Sequence, residues 1–280
     1  LNARPRALTR AVAQAESVTV RRGRATAARD RSYALQTKLG AKAATFDYKG
    51  VVTKREMSDI TGGMVPHYTS ATWDTIVPWY KDEVASLSVI QPAGYIVPQE
   101  WTVCRDKLDI HGVRYRRFAK AWADTMEVAR IESWRTESAL REGHHPTVVD
   151  SLSLLRRFTR ARPGDLWVPL DQRSGQVAVQ LLEARAPDGV TYWNGFDTVL
   201  EQKEYGEDYV IEPIARKMLA DDPALAKEFR TKLDRDSSFA KSPEQRINFF
   251  FNRSKWADPD WRVIPPARAI KPPPESVLAP

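Results

Sequence analysis

The chain has 280 residues, which is room for one large domain or two domains of about 100–200 residues each. Its hydrophobic fraction is 42% and it contains nine each of Trp, Tyr and Phe, which excludes a disordered chain because that much apolar surface has to be buried. The net charge is +7, but residues 1–32 hold eight Arg against Glu16 and Asp30. The remainder is therefore nearly neutral and implies no broad basic face for nucleic acid.

The cysteine content and the hydropathy pattern exclude further classes. Cys104 is the only cysteine, so neither an intrachain disulfide nor a cysteine-cluster zinc site can form. No apolar run approaches the roughly 20 residues that a membrane helix needs, and we predict no membrane partner. A start at Leu-Asn-Ala, without an initiator Met or a signal-peptide core, indicates a fragment, a mature product or a truncated product.

The first predicted element is an Arg/Ala-rich helix over residues 1–32. Leu8, Val12, Ala15 and Val18 recur near helical spacing, and Gly23 is a candidate break. The apolar stripe is weak, so this helix needs something to pack on.

Residues 33–170 are predicted to be a β-rich accessory domain. Alternation and β-branched residues predict strands at 33–39, 44–54, 83–90 and 92–98. Residues 56–80 are predicted to be irregular, because they contain two adjacent glycines and two prolines, although they are also rich in aromatic residues. These aromatic residues are Tyr68, Trp73, Trp79 and Tyr80.

The middle of this domain is predicted to hold a small βαβ unit. A helix over residues 99–111 ends at Gly112, where the left-handed backbone suits glycine, and strand 113–118 follows. Strand, helix and strand in so short a span favour a right-handed crossover. Further strands are predicted at 126–134, 148–159 and 166–168.

Residues 171–264 are predicted to be a helical C-terminal part. After a short apolar helix at 175–184, three helices begin at recognisable starts: Pro213, Asp222-Pro223, and the capping box Ser242-Pro-Glu-Gln245. Residues 265–280 hold six of the 19 prolines and are predicted to be a loose Pro-rich tail. The fold class expected is therefore α+β.

The search for catalytic motifs predicts no catalytic, cofactor-binding or metal-binding residue. Histidine occurs only at positions 67, 111, 144 and 145, and none is followed three residues later by Glu, as a zinc-peptidase His-x-x-Glu pair requires. The chain also lacks a Gly-x-Ser-x-Gly elbow, a Walker loop and a dinucleotide fingerprint. We therefore predict that the chain alone is inactive as an enzyme.

Several local groups have a functional and a structural interpretation. His144-His145 is interpreted as a solvated turn rather than a metal site, His111 as a helix C-terminal residue, and Cys104 as a buried, inert thiol. The carboxylates at 201–222 suit helix starts better than a glycosidase pair. The Arg run at 4–31 could bind phosphates, but it lacks Lys and interleaved aromatic residues, so a docked helix with an Arg-rich exposed face is preferred.

Six phrases occur in order along most of the chain, roughly residues 40–270. They are Pro92-Ala-Gly-Tyr-Ile-Val-Pro-Gln-Glu-Trp101, Leu108-Asp-Ile-His-Gly-Val-Arg-Tyr115, Pro163-Gly-Asp-Leu-Trp-Val-Pro-Leu-Asp-Gln172, Val179-Gln-Leu-Leu-Glu183, Glu204-Tyr-Gly-Glu-Asp-Tyr-Val-Ile-Glu-Pro213 and Ile247-Asn-Phe-Phe-Phe-Asn-Arg-Ser254. As a set in matching order, these phrases resemble the region that follows the catalytic domain in large bacterial zinc carboxypeptidases of the carboxypeptidase A-like family. The resemblance is specific for the set and weak for any one phrase.

The resemblance implies that the intact protein cleaves peptides at their C-termini through zinc-activated water, and that it is periplasmic or secreted. The family's zinc ligands, catalytic Glu and carboxylate-binding Arg match nothing in this chain, so no residue role is carried over. The partner implied is the chain's own upstream catalytic domain, of which residues 1–32 would be the last helix, with a peptide substrate as a further partner. Two alternatives stay open: a stand-alone module that binds peptide or polysaccharide through the aromatic residues at 68–80, and nucleic-acid binding through the Arg-rich helix.

Overall fold

The computed structural model describes residues 5–280, which divide into two compact units. The main unit combines the chain up to residue 26 with Pro92–Pro280, and the hairpin unit is Ala27–Gln91. The α+β class is confirmed, with β-rich sheets in the middle of the chain and helices towards its C-terminal part.

The structure contains ten strands and seven helices within residues 5–280. The strands are β1 Ser32–Leu39, β2 Ala44–Met57, β3 Met64–Trp79, β4 Glu83–Ile90, β5 Gly94–Val97, β6 Arg116–Arg117, β7 Trp122–Thr136, β8 Thr147–Ala161, β9 Leu166–Pro169 and β10 Ala267–Ala269. The helices are α1 Pro5–Arg24, α2 Thr102–Ile110, α3 Gly175–Leu182, α4 Asp208–Asp221, α5 Pro223–Arg235, α6 Ser237–Lys241 and α7 Pro243–Phe251.

The main unit is built on a six-stranded sheet in the order β6-β9-β5-β10-β7-β8. Its central strand β5 is buried along its whole length, as the apolar run between Pro92 and Pro98 predicts. The predicted βαβ unit exists in a split form. Strands β5 and β6 are parallel to each other because each pairs antiparallel with β9, which lies between them.

The predicted loose tail at 265–280 is wrong. Its residues Ala267, Arg268 and Ala269 form β10, which is buried and pairs with β5 on one side and β7 on the other. Six prolines indicated a loose tail, but the prolines flank the three paired residues and leave them free to enter the sheet. Residues 265–280 thus contribute an inner strand to the sheet.

The hairpin unit consists of two antiparallel pairs, β1 with β4 and β2 with β3. The prediction that residues 56–80 are irregular is wrong for most of that range, since β3 is a 16-residue strand. Pro66 and Pro78 are tolerated because each strand of a two-stranded ribbon is an edge, where alternate N–H groups need no strand partner.

The C-terminal helices confirm two of the three predicted starts. The Asp222 carboxylate accepts hydrogen bonds from the first N–H groups of α5, and Ser242 Oγ accepts from Gln245 N in α7. The third start is wrong: α4 begins at Asp208, and Pro213 lies inside it. The short helix α6, capped by Asp236, was not predicted.

The predicted helix over residues 1–32 is shorter in the structure: α1 ends at Arg24, next to the candidate break at Gly23, and residues 1–4 lie outside the described range. Only the C-terminal end of α1 is packed. A Cβ atom on Gly23 would lie 2.2 Å from the Leu170 carbonyl oxygen, so glycine permits this close approach. Arg24 forms an ion pair of 3.3 Å with Asp171, whereas Leu8 and Val12 are exposed. None of the helices formed by residues 5–280 combines the length and the hydropathy needed to span a membrane.

Candidate functional site

One face of the β2–β3 ribbon is lined by aromatic side chains. Residues that pair directly in an antiparallel ladder point to the same face, and Ala44 pairs with Trp79, Phe46 with Val77, Tyr48 with Thr75, and Gly50 with Trp73. The register therefore brings four rings together on what we call the aromatic face. These rings belong to Phe46, Tyr48, Trp73 and Trp79.

The rings contact each other in two diagonal pairs across the strands. The Phe46 and Trp79 ring centroids are 5.7 Å apart at 64°, and those of Tyr48 and Trp73 are 6.0 Å apart at 66°. Such edge-to-face contacts contribute about 0.5–1.5 kcal/mol beyond area burial. Phe46 and Trp79 are each 48% exposed, Tyr48 is 44% exposed and Trp73 is 53% exposed, so about half of each residue stays accessible.

Gly50 creates the space that the Tyr48 ring occupies. A Cβ atom on Gly50 would lie 2.5 Å from Tyr48 Cε1, so any larger residue would push the ring away. A ring that covers a strand glycine restores the packing that the missing side chain removes. Tyr48 is thereby directed across the strands to Trp73.

The opposite face of the ribbon is more polar and provides an internal contrast. Lys49 and Asp74 pair directly there, with 2.8 Å between Lys49 Nζ and Asp74 Oδ2. Ile76 is also on this face and is 67% exposed. The two faces of one ribbon thus differ in aromatic content.

The sequence identified half of this site. Trp73 and Trp79 were candidates among the aromatic residues at 68–80, and the structure brings them together. Tyr68 lies beyond the pairing irregularity at Val51/Thr53, and Tyr80 follows the end of β3. Phe46 and Tyr48 were not singled out, although their alternation in a predicted strand was the available signal.

The histidines do not converge on a metal-binding arrangement. Within the described range 5–280, no group of three or more His, Cys, Asp or Glu residues is placed to hold a metal ion. His67 lies on β3 in the hairpin unit, whereas the other three belong to the main unit. Residues 5–280 therefore do not fit a zinc centre of the carboxypeptidase kind, and we derive no step through zinc from them.

The His144-His145 turn is exposed, and hydrogen bonds hold both rings. His144 Nδ1 lies 3.1 Å from Asn194 Oδ1, which is the hydrogen-bond acceptor because the Asn194 amide nitrogen donates to His145 O and Asp197 Oδ2. His145 Nδ1 lies 3.1 Å from the Glu137 carbonyl oxygen. His111 is the C-terminal cap residue of α2, as its position before Gly112 predicts.

Cys104 is a buried thiol on α2 with no exposed surface. Burial alone raises the pKa of this thiol from 9.0 to about 12, because the apolar surroundings disfavour the thiolate. A thiol held protonated in this way is a poor nucleophile at neutral pH.

A buried charged network crosses the core of the main unit. The Arg268 guanidinium on β10 donates to Glu183 Oε1, and Tyr95 OH donates to the same oxygen at 2.6 Å. Arg268 Nε lies 3.4 Å from Glu127 Oε2. Burial raises the pKa of Tyr95, and the nearby Arg268 lowers it by less. All three central side chains are enclosed, so the network joins β5, β10 and the C-terminal cap of α3.

Two polar residues of the recognised phrase at 163–172 also have structural explanations. Gln172 is buried, and its side chain bonds with the Arg114 N–H, the Arg114 carbonyl and the Pro169 carbonyl. Buried Asp165 accepts hydrogen bonds from Gln99 N and Arg162 N. These polar residues connect loops, which requires no catalytic role.

The carboxylates at 201–222 are distributed over a loop and α4. Glu212 pairs with Arg216 and Asp221 with Lys217, one helical turn apart, and Asp222 caps α5. These are exposed helix pairs of small energetic value.

No family profile, curated protein or solved structure is significantly similar to this chain. The resemblance to the zinc carboxypeptidase region therefore stays a prediction.

Proposed function

We propose that this chain is a non-catalytic accessory region of a zinc metallocarboxypeptidase, held against the catalytic domain by the aromatic face. The observation that carries the proposal is the concentration of four half-exposed rings on one face of a two-stranded ribbon. The catalytic domain would supply the zinc and hydrolyse peptides at their C-termini. This chain would buttress that domain or shape substrate access to it.

The energetics of the ribbon support a partner. A two-stranded hairpin is marginally stable in water, and β2 and β3 have 14 and 16 residues with neither face covered by a second sheet within the hairpin unit. Burying a large apolar side chain contributes about 1.5–3 kcal/mol. Covering the four rings would therefore stabilise the ribbon and provide a binding hot spot rich in Trp and Tyr.

The class of partner comes from the resemblance. The recognised phrases extend across the main unit in matching order, and the family places such a region directly after its catalytic domain. Helix α1 agrees with that arrangement, because Leu8 and Val12 lie on an exposed stripe that needs a surface to pack on.

Polysaccharide binding through the same rings is the second candidate, and the half-exposed tryptophans are the observation in its favour. A sugar stacks on the flat face of a ring, so neighbouring rings that bind one sugar chain need similar orientations. The rings of each pair are instead tilted by 64° and 66°. This geometry favours an irregular protein surface over a polysaccharide chain.

The test starts from the coding DNA around the segment for residues 1–280, which we expect to encode a carboxypeptidase domain with a His-x-x-Glu pair, in the same or a neighbouring reading frame. That domain is co-expressed with the tagged chain, and co-purification is measured. We expect a stoichiometric complex that W73T/W79T weakens by about tenfold or more. Ile76→Thr, on the opposite face of the same strand, should leave the complex intact.

The proposal is wrong if no such domain is encoded, or if W73T/W79T and Ile76→Thr affect the complex equally. Retention of the wild-type chain on insoluble cell-wall polysaccharide, lost in W73T/W79T, would support the second candidate instead.

A further inference from the structure

Strand β8 forms one edge of the main sheet and leaves its outer side unpaired. It is the last strand in the order, and all of its residues except Asp150 pair on the inner side with β7. Within residues 5–280, only the Thr147 N–H at its start bonds to another backbone segment, the Tyr192 carbonyl. A long free edge of this kind is a template for an added strand.

Three side chains along this edge share one face of the sheet. Arg156, Phe158 and Arg160 are spaced by two residues, and they pair in register with Glu127, Thr125 and Ala123 of β7. Phe158 is 79% exposed. Arg156 and Arg160 are exposed and form no ion pair or side-chain hydrogen bond within the described chain, whereas the Glu127 carboxylate facing Arg156 is directed to Arg268.

A cavity of about 550 Å³ lies beside the same part of the strand. Its lining includes four consecutive residues of β8, from Arg157 to Arg160. Because consecutive side chains of a strand point to opposite faces, a cavity that contacts all four reaches the strand edge, and its contacts with Val128 of β7 and Ala267 of β10 show that it extends from there over one face of the sheet. Trp101 and Trp261 also line it, and Arg157 is held in place by Asp260, with 2.8 Å between Nη1 and Oδ1.

We propose that the outer edge of β8 binds an extended peptide as an added strand, and that the peptide carries an acidic–x–aromatic–x–acidic pattern. In such a strand, alternate residues stand opposite Arg156, Phe158 and Arg160, so two carboxylates meet the unpaired guanidinium groups and an aromatic ring meets Phe158. The intervening residues point to the other face, where apolar side chains fit beside the cavity-lining tryptophans. The pattern reads the same in both directions, so parallel and antiparallel addition give the same prediction. This site lies in the main unit and does not depend on the proposed function.

Charged residues on an edge strand can also serve only to prevent sheet-to-sheet association. The experiment therefore tests directly whether the full chain binds a designed peptide. The probe is a fluorescein-labelled Thr-Asp-Val-Phe-Val-Asp-Thr peptide, and its binding is followed by fluorescence anisotropy. There are two control peptides. In the first, both Asp residues are replaced by Lys. The second keeps all side chains and carries N-methyl groups on the central Val-Phe-Val amides.

We expect saturable binding of the probe and a loss of about tenfold or more with either control peptide. R156E/R160E should weaken binding by about tenfold, and Phe158→Ser by a smaller factor. The charge-matched variant R114E/R230E, at two exposed sites elsewhere in the main unit, and Leu140→Ser, at an exposed turn, should bind as the wild type does.

Absence of saturable binding would overturn the proposal, as would equal binding of the N-methylated peptide, since main-chain pairing would then contribute nothing. Because the peptide controls use the unmodified chain, this result does not depend on the variants folding. A concentration-dependent dimer that R156E/R160E abolishes, with no probe binding, would overturn it in favour of a second copy of the chain on this edge.

Discussion

The two units bury their aromatic residues very differently. In the main unit, Phe229, Phe239, Phe249 and Phe250 pack against one another between α5, α6 and α7 and are almost inaccessible. In the hairpin unit, the rings of the aromatic face are about half exposed. Similar residues thus complete a core in one unit and form a surface in the other, so composition alone does not distinguish a finished core from a docking face.

The largest expected effect comes from removing residues 266–280. This truncation takes β10 from the centre of the six-stranded sheet and leaves β5 and β7 without their shared neighbour. We expect loss of cooperative thermal unfolding, followed by circular dichroism. As a control, replacing residues 54–67 of the hairpin unit by an Asn-Gly turn should leave the unfolding of the main unit unchanged. If the chain without residues 266–280 still unfolds cooperatively, the central role assigned to β10 is wrong.

The next largest effect is on the free energy of unfolding, for which we compare the loss of a buried ion pair with the loss of an exposed one. Glu183→Ala leaves Arg268 enclosed without its main counter-ion, so we expect a loss of about 3–5 kcal/mol in the free energy of unfolding. Asp74→Ala breaks the exposed Lys49–Asp74 pair and should cost about 1 kcal/mol or less. Urea denaturation measures both values, and similar losses for the two variants would contradict the assigned difference.

Thiol reactivity compares a buried position in the main unit with an exposed position in the hairpin unit. Because Cys104 is enclosed and its thiol pKa is raised to about 12, we expect reaction with Ellman's reagent at pH 8 to be about 100-fold slower in the native chain than in urea. A cysteine placed at Ile76 in a Cys104→Ser background should react at the rate of a free thiol. Fast native reaction at Cys104 would show that α2 opens readily.

The smallest expected effect is the acid dependence of α6. Hydrogen bonds from Phe239 N, Ser238 Oγ and Lys232 lower the pKa of Asp236 from 3.8 to about 2. Since the folded-state pKa lies below the unfolded value, this carboxylate stabilises the fold above about pH 4, and the contribution is lost as the pH falls towards 2. Thermal unfolding between pH 5 and 2 should show a weaker pH dependence in Asp236→Asn; parallel curves would refute the assignment.

Local signals predicted much of the fold. The Asp222 and Ser242 caps and the Gly112 stop act within a few residues, so the sequence shows both partners of each interaction. Strand β10 was missed because its three residues are stabilised by β5 and β7, which are far away in the chain. Strand β3 was missed for a different reason: its partner β2 is next to it in the chain, but its prolines indicated an irregular segment, whereas an edge strand tolerates them.

The candidate site was only partly predictable for a related reason. The sequence marks Trp73 and Trp79 as clustered, but the pairing register decides that Phe46 and Tyr48 join them while Ile76 points away. The Arg268–Glu183 pair likewise joins residues 85 positions apart, and no local pattern indicates it.

Oxidative footprinting tests the central claim that the aromatic face is covered by a partner domain. Hydroxyl-radical labelling of Trp73, Trp79 and Trp256 is compared between the isolated recombinant chain and the protein purified from its natural source. The three side chains are 53%, 48% and 50% exposed in the chain, so Trp256 is a matched internal reference. We predict that Trp73 and Trp79 become protected in the natural protein while Trp256 labels equally in both samples; equal labelling of all three would contradict the account.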